Sequence, residues 1–318
     1  MTIAAPHDHR DRLQAEPEAL TRDRLVTGIL DFLSSRHLLS ADQIRASLER
    51  EIDSAGPAAL VALMDQLTAD YGWTYYPPSP LVARIHYLLA GHFLKPDSHV
   101  SGTEHLDAVG ADPVLIFANH LSYADANVIQ VLLHRAGHEA LAGRLTALAG
   151  PKIFTSRERR FSSLCFGTIK VPQSADVSSE EAVLNAREVA RAARRAIDAA
   201  AERLNTGDAL VLFGEGTRSR TARMQRMLPA VARYVEVAPA AWMLPVGLVG
   251  SEALFPVGDM TVRPARVELT IGLPHRATEL TPKSNRHRQM TMDTIGQMIA
   301  RLLPASYRGA YERRPAAR

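Results

Sequence analysis

At 318 residues, with 46% of them hydrophobic, the chain can bury one large α/β domain plus a small accessory domain, and global disorder is excluded. A net charge of +3 and a pI of about 9.1 are too mild for a nucleic-acid binder, but they suit an anionic partner such as a phosphorylated metabolite or an acidic membrane surface. The single cysteine, Cys165, rules out an internal disulfide and points to a reducing compartment and a buried thiol.

Residues 1–18 are polar and carry acids, which predicts a disordered tail and neither a signal nor a transit peptide. Residues 19–74 read as a small N-terminal helical bundle. Leu25, Ile29 and Phe32 recur at helical spacing, with Val26, Leu30 and Leu33 beside them. Ser40 with Gln43 forms a capping-box signature ahead of Ile44, Leu48 and Ile52. Pro57 opens a third helix that Gly72 closes. "YYPPSP" (75–80) marks a linker, so residues 75–318 form the second unit, an α/β domain with a C-terminal helix. Leu81–Lys95 is apolar and reads first as a buried helix, second as a helix dipping into lipid. No apolar run approaches the ~20 residues of a spanning helix. The expectation is a cytoplasmic protein, with peripheral contact at the inner face of a membrane left open.

From residue 112 strands and helices alternate. "PVLIFA", "GTIKVP", "ALVLFG", "AWMLPVGLVG" and "ARVELTIG" read as strands; "DANVIQVLLHRA" is a helix stopped by Gly137. A long helix is expected over roughly residues 179–205, from Ser-Ser-Glu-Glu to Asn205-Thr206-Gly207. Val183, Ala186, Ala190, Ala193, Ile197 and Leu204 would form its apolar stripe, with Arg187, Arg191, Arg194 and Arg195 opposite. The predicted fold is α/β: a mixed, largely parallel central sheet flanked by helices, with ligands at the carboxyl ends of strands. Trp242 is expected in the core. His134 and His138 lie a turn apart with no third ligand evident, so no metal site is expected. "LLPASYRGAYERR" near the C-terminus either folds back on the domain or touches a membrane.

A histidine followed five places on by aspartate occurs three times: His37/Asp42, His92/Asp97 and His120/Asp125. The first two pairs sit at helix ends, where an acid in a first turn or a turn aspartate is ordinary. His120 emerges from the strand "PVLIFAN", and Asp125 opens the next helix. A turn between them can hold one imidazole N–H on the carboxylate and leave the other nitrogen as a base, although helix capping accounts for the pair equally well. A second strand ends in "GEGTRSR" (214–220), whose glycines allow close backbone approach and whose Arg218 and Arg220 can grip an anion. No Walker lysine pattern, no G-x-G-x-x-G and no G-x-S-x-G elbow is present. A base, an orienting acid and an anion grip, without an evident nucleophile, fit direct attack by an acceptor hydroxyl on an activated acyl group. Backbone N–H groups near Gly214 to Thr217 would face the oxyanion.

These residues resemble the glycerophospholipid acyltransferase family. Asn119-His120-Leu121-Ser122-Tyr123-Ala124-Asp125 is similar to its H-x4-D block, Phe213-Gly214-Glu215-Gly216-Thr217-Arg218-Ser219 to its F-P-E-G-T-R-S block, and Leu244-Pro245-Val246-Gly247 to its V-P-V-G strand. The likeness covers about residues 98–275. It implies transfer of a fatty acyl group from acyl-CoA or acyl carrier protein to a hydroxyl of glycerol 3-phosphate or 1-acylglycerol 3-phosphate, in phospholipid biosynthesis. It further implies His120 as base, Glu215, Gly216, Thr217 and Arg218 at the acceptor phosphate, and neither metal nor cofactor beyond the donor. The N-terminal bundle and the Arg218/Arg220 pair look like those of soluble, plastid-type glycerol-3-phosphate acyltransferases. Gly214 replaces the family's proline, which implies a looser turn. Gln173 stands near the position of the second block's arginine, and Lys152, Arg157, Arg159 and Arg160 are candidates to substitute, with Lys152 counted in the acceptor grip. That departure keeps two alternatives open: the same chemistry on a non-glycerophosphate acceptor (an amino-lipid or other alcohol), or a non-catalytic lipid- or carrier-binding protein.

Overall fold

The computed structural model describes residues 19–35, 41–172, 185–257, 263–281 and 284–312. The tail 1–18, His37, the Ser40 cap and Gln173 lie outside them. Arg22–Ser35 (α1), Ala41–Ala55 (α2) and Pro57–Thr68 (α3) follow the apolar spacing of the sequence, burying Leu25, Ile29 and Leu33, then Ile44, Leu48 and Ile52, then Leu63. The third helix ends at Thr68 rather than at Gly72. The expected 75–80 linker is not a loop: Tyr75–Tyr76 (β1) pairs antiparallel with residues 168–169, and Tyr76 is buried. Ser79 then caps Pro80–Phe93 (α4), its side chain accepting from Val82 N–H. Helix α4 buries Leu81, Val82, Ile85 and Ala90 in the same apolar cluster as α1–α3. Its apolar composition is therefore used in packing between the helices and the sheet. Among the described residues no helix is long and apolar enough to cross a membrane.

The sheet follows from short apolar runs. His99–Ser101 (β2) and Val114–Ala118 (β3) precede Asp125–Arg135 (α5) and Glu139–Gly143 (α6). Leu145–Ala149 (β4), Arg157–Ser163 (α7), Gly167–Lys170 (β5), Ala186–Asn205 (α8), Ala209–Phe213 (β6) and Ala232–Glu236 (α9) come next. The chain continues through Trp242–Val249 (β7), Glu268–Ile271 (β8), His275–Arg276 (β9), Ala277–Leu280 (α10), Arg288–Leu302 (α11) and Ala305–Arg308 (α12). The strand order is β1-β5-β4-β6-β3-β7-β8-β2, with β9 pairing with β7. Strands β5, β4, β6, β3 and β7 run parallel; β1 and β9 are antiparallel to their neighbours, while β8 is antiparallel to β7 and parallel to β2. Strand β3 is central. Val114, Ile116 and Ala118 face the cluster containing α1–α5, while Leu115 and Phe117 face the one containing α8, α9 and α11. Burial on both faces explains why β3 reads as an unbroken apolar run.

Two expectations for α8 need correction. It begins at Ala186, because Asn185 accepts N–H bonds from Arg187 and Glu188 while Glu188 reaches back to Asn185 N–H. Its buried stripe is Ala192, Ala196, Ala199, Ala200 and Leu204, with small side chains letting the helix lie close to the sheet; Ala186 and Ala190 are exposed. Trp242 packs against the core as expected, but only from its edge. Its Nε1 donates to Asp112 at the half-buried start of β7, and the Arg276 guanidinium lies 3.6 Å from its ring centroid. Cys165 is buried as expected, and burial pushes its thiol pKa up.

Candidate active site

Because β3, β6 and β7 are parallel and in register (Ala118 opposite Phe213 and Val246), the segments leaving their carboxyl ends converge at one place. Asn119 fastens the first segment: its side-chain amide donates to Leu248 O (2.9 Å) and its oxygen accepts from Leu248 N (2.8 Å). The next residue, His120, keeps a partly exposed imidazole stacked on Phe213, with ring centroids 4.2 Å apart.

Asp125 is fully buried and collects five donors. Its Oδ2 accepts from His120 Nδ1 (2.8 Å), Leu121 N (2.6 Å) and Ser122 N (3.0 Å). Its Oδ1 accepts from the hydroxyls of Ser122 (3.0 Å) and Ser251 (2.6 Å). The acid opens α5, yet its carboxylate turns back over the preceding residues. The four residues between His120 and Asp125 thus form a closed turn, not merely a helix cap. With Nδ1 facing a carboxylate, the ring proton belongs on Nδ1, and Nε2 has a free lone pair with no partner among the described residues. The other two His–Asp pairs form no such site: Asp97 bonds to Arg266, and His37 lies outside the described residues.

The Gly-Glu-Gly turn after β6 braces His120 from the other side. Glu215 Oε1 accepts from His120 N (2.9 Å), Glu215 Oε2 accepts from Gln225 N (2.7 Å), and His120 O accepts from Ser219 N (2.8 Å). Glu215 was expected in the acceptor grip; instead it is buried, with both oxygens committed to backbone N–H groups. Gly216 supplies a left-handed turn (φ 71°), and its N–H donates to Phe213 O, so that donor is not available to an oxyanion. Thr217 N–H and Arg218 N–H have no partner among the described residues. Gly214 also departs from expectation. It faces the interior, where a Cβ would come within 2.9 Å of Met227 Sδ, so the turn is packed from behind and not loose.

Cations line the rim. The Arg218 guanidinium carbon is 3.4 Å from the ring centroid of Tyr123, and its pKa is lowered, chiefly by burial. Arg220 is exposed and close enough to Arg218 to add to that lowering. Lys152 is half-buried in the turn after β4, where its carbonyl accepts from Arg159 Nη1 (3.4 Å). Among the described residues no group of three His, Cys, Asp or Glu side chains could hold a metal ion.

Residues 97–249, which contain the His120–Asp125 and Gly-Glu-Gly turns, match the family model described as Acyltransferase. That stretch, just under half of the chain, is similar to the acyltransferase family. No curated protein matches it. Among solved structures, the 1-acyl-sn-glycerophosphate (LPA) acyltransferase PlsC from Thermotoga maritima is similar at 18% identity and a TM-score of 0.48, over 88% of this chain and 96% of that one.

One part of the site, Ser251, lies outside the motif blocks, and two residues inside them have roles the motifs did not give. Ser251 and Asn119 tie the His120–Asp125 turn to β7 and the residues after it, and Phe213 supplies the floor under the imidazole. For Ser251, only its position just after a parallel strand would have singled it out. The C-terminal segment folds back and completes the brace: Met224 N donates to Tyr307 O, Ala310 N to Met224 O, and Met227 N to the Tyr311 hydroxyl. Tyr311 packs where Gly296 of α11 leaves room, since a Cβ there would lie 2.3 Å from its ring.

Glu215 has a measurable signature. Burial, the largest influence, pushes its pKa up to about 7, while the N–H groups of Gln225 and His120 pull it down. The folded protein therefore holds this proton up to about pH 7, whereas the unfolded chain releases it near 4.5. The associated stability is complete below the unfolded pKa and is lost as pH rises through 7. Between about pH 4 and about pH 8, wild-type unfolding free energy should fall by roughly 3 kcal/mol relative to Glu215→Gln. Denaturant titrations that gave parallel pH curves for the two proteins would remove this assignment.

Proposed function

We propose that this acyltransferase moves a fatty acyl group from a thioester of coenzyme A or acyl carrier protein to a hydroxyl of glycerol 3-phosphate or 1-acylglycerol 3-phosphate, as a step in phospholipid biosynthesis. The observation that carries the reading is His120 held through Nδ1 on buried Asp125, with Nε2 open beside the Tyr123–Arg218 stack. The acceptor oxygen attacks the thioester carbonyl as Nε2 takes the hydroxyl proton. Asp125 stabilises the imidazolium, and the Thr217 and Arg218 N–H groups are the donors nearest to hand for the oxyanion. Collapse breaks the carbon–sulfur bond, and the proton returns from Nε2 to the departing thiolate, giving an ester and a free thiol. Arg218, with Lys152 and Arg220 around the rim, serves the acceptor phosphate.

Thioester-release assays with both donors and paired acceptors test this. The phosphate-bearing member of each pair (glycerol 3-phosphate against glycerol, 1-acylglycerol 3-phosphate against 1-acylglycerol) should show kcat/KM higher by about 10–100-fold, the worth of charge-assisted hydrogen bonds to one anionic group. Equal rates with and without the phosphate would overturn the glycerophosphate assignment in favour of another alcohol acceptor.

A further inference from the structure

The four bases Lys152, Arg157, Arg159 and Arg160 lie close together in sequence, yet the fold gives them different surroundings. Arg157 is exposed. Arg160 is 2% exposed and serves as an anchor. Its guanidinium carbon lies 4.5 Å from the ring centroid of Tyr76 and 5.1 Å from that of Phe154, and its Nε and Nη1 donate to Gln66 O and Thr168 Oγ1. That buried cation fixes the rotation of α7, so the neighbouring side chain must project in another direction.

Arg159 projects towards the catalytic turn. Its guanidinium carbon is 5.2 Å from the ring centroid of Tyr123, the ring that Arg218 approaches at 3.4 Å. Tyr123 sits inside the His120–Asp125 turn, whose Leu121 and Ser122 N–H groups are bonded to Asp125, so the ring's backbone moves with the imidazole's. Arg159 is further positioned by its Nη1 bond to Lys152 O. Among the described residues neither Arg159 nor Arg218 forms an ion pair with a carboxylate. The two charges oppose each other: Arg159 is among the influences that lower the Arg218 pKa, after burial. Like charges gathered on one exposed ring, with only the more distant Asp125 to offset them, are relieved when an anion settles between them.

We propose that Arg159 is a second cation of the acceptor subsite, closing with Arg218 on a phosphate monoester held alongside Tyr123 and setting preference for a phosphorylated acceptor. The inference rests on the glycerophosphate reading above and adds a residue to it. The same chemistry could come from the phosphates of coenzyme A, so both sources enter the test. Steady-state kinetics would compare wild type, Arg159→Ala, Arg159→Lys and Arg157→Ala, with 1-acylglycerol 3-phosphate and 1-acylglycerol as acceptors. Donors would be acyl-CoA and acyl-pantetheine, which lacks the nucleotide phosphates.

Arg159→Ala should raise the KM for 1-acylglycerol 3-phosphate by about 10–100-fold with either donor, leave kcat within about threefold, and leave the 1-acylglycerol reaction unchanged. Arg159→Lys should recover part of the loss, and Arg157→Ala should match wild type. An unchanged KM, an equal rise for both acceptors, or a rise confined to acyl-CoA would overturn the assignment. A wild-type enzyme indifferent to phosphate would fail the parent reading before any variant is made, and the inference with it. A wild-type preference that survives in Arg159→Ala would fail the inference alone.

Discussion

His120→Ala is expected to lower kcat by about 10²–10⁴-fold, the range that a positioned general base contributes, with little change in stability. The imidazole is partly exposed and lies flat on Phe213, while the backbone of residue 120 is held independently by Glu215 and Ser219. Removing the ring therefore deletes the base and leaves the turn in place. The unfolding free energy should drop by no more than about 1.5 kcal/mol. Turnover within tenfold of wild type, in a variant with an unchanged circular dichroism spectrum and melting curve, would mean that another group accepts the hydroxyl proton.

Asp125→Asn should separate charge from geometry. The asparagine can keep its carbonyl oxygen towards His120, Leu121 and Ser122, because those three donors all meet Oδ2 in the native protein. Its amide would then face the hydroxyls of Ser122 and Ser251, which can rotate from donating to accepting. The fold should survive with a loss of about 1–2 kcal/mol, while kcat falls by about 10²–10⁴-fold because no negative charge supports the imidazolium. Asp125→Ala, by contrast, strands buried donors and should cost about 3–5 kcal/mol. If Asp125→Asn kept near wild-type turnover, the carboxylate would be a purely structural clamp.

The central strands β3, β6 and β7 can be read from the sequence because burial on both faces leaves long apolar runs. Strand β4 cannot: "LTALA" pairs a weak strand-forming composition with a neighbouring short helix, and only its place between β5 and β6 makes it a strand. Two- and three-residue edges such as β1 and β2 carry no periodicity at all. At the site, the H-x4-D spacing survives because a five-residue closure is local. The role of Glu215 did not follow from its motif, since a carboxylate beside two arginines reads as part of an anion grip. Of the two backbone N–H groups it is buried against, that of His120 lies 95 residues away in the chain. Ser251 is invisible for the same reason, and the α8 stripe was misjudged because alanines tolerate either face.

The segment Met224–Leu228 that backs the Gly-Glu-Gly turn is held by Tyr307, Ala310 and Tyr311, so the support behind the His120 turn is made long after the turn itself. On the ribosome, the sheet and helical bundle can assemble while this brace is still unwritten. An arrested chain ending before residue 304 should therefore bury its core strands yet lack a set imidazole. Competence would come only once this brace has been made.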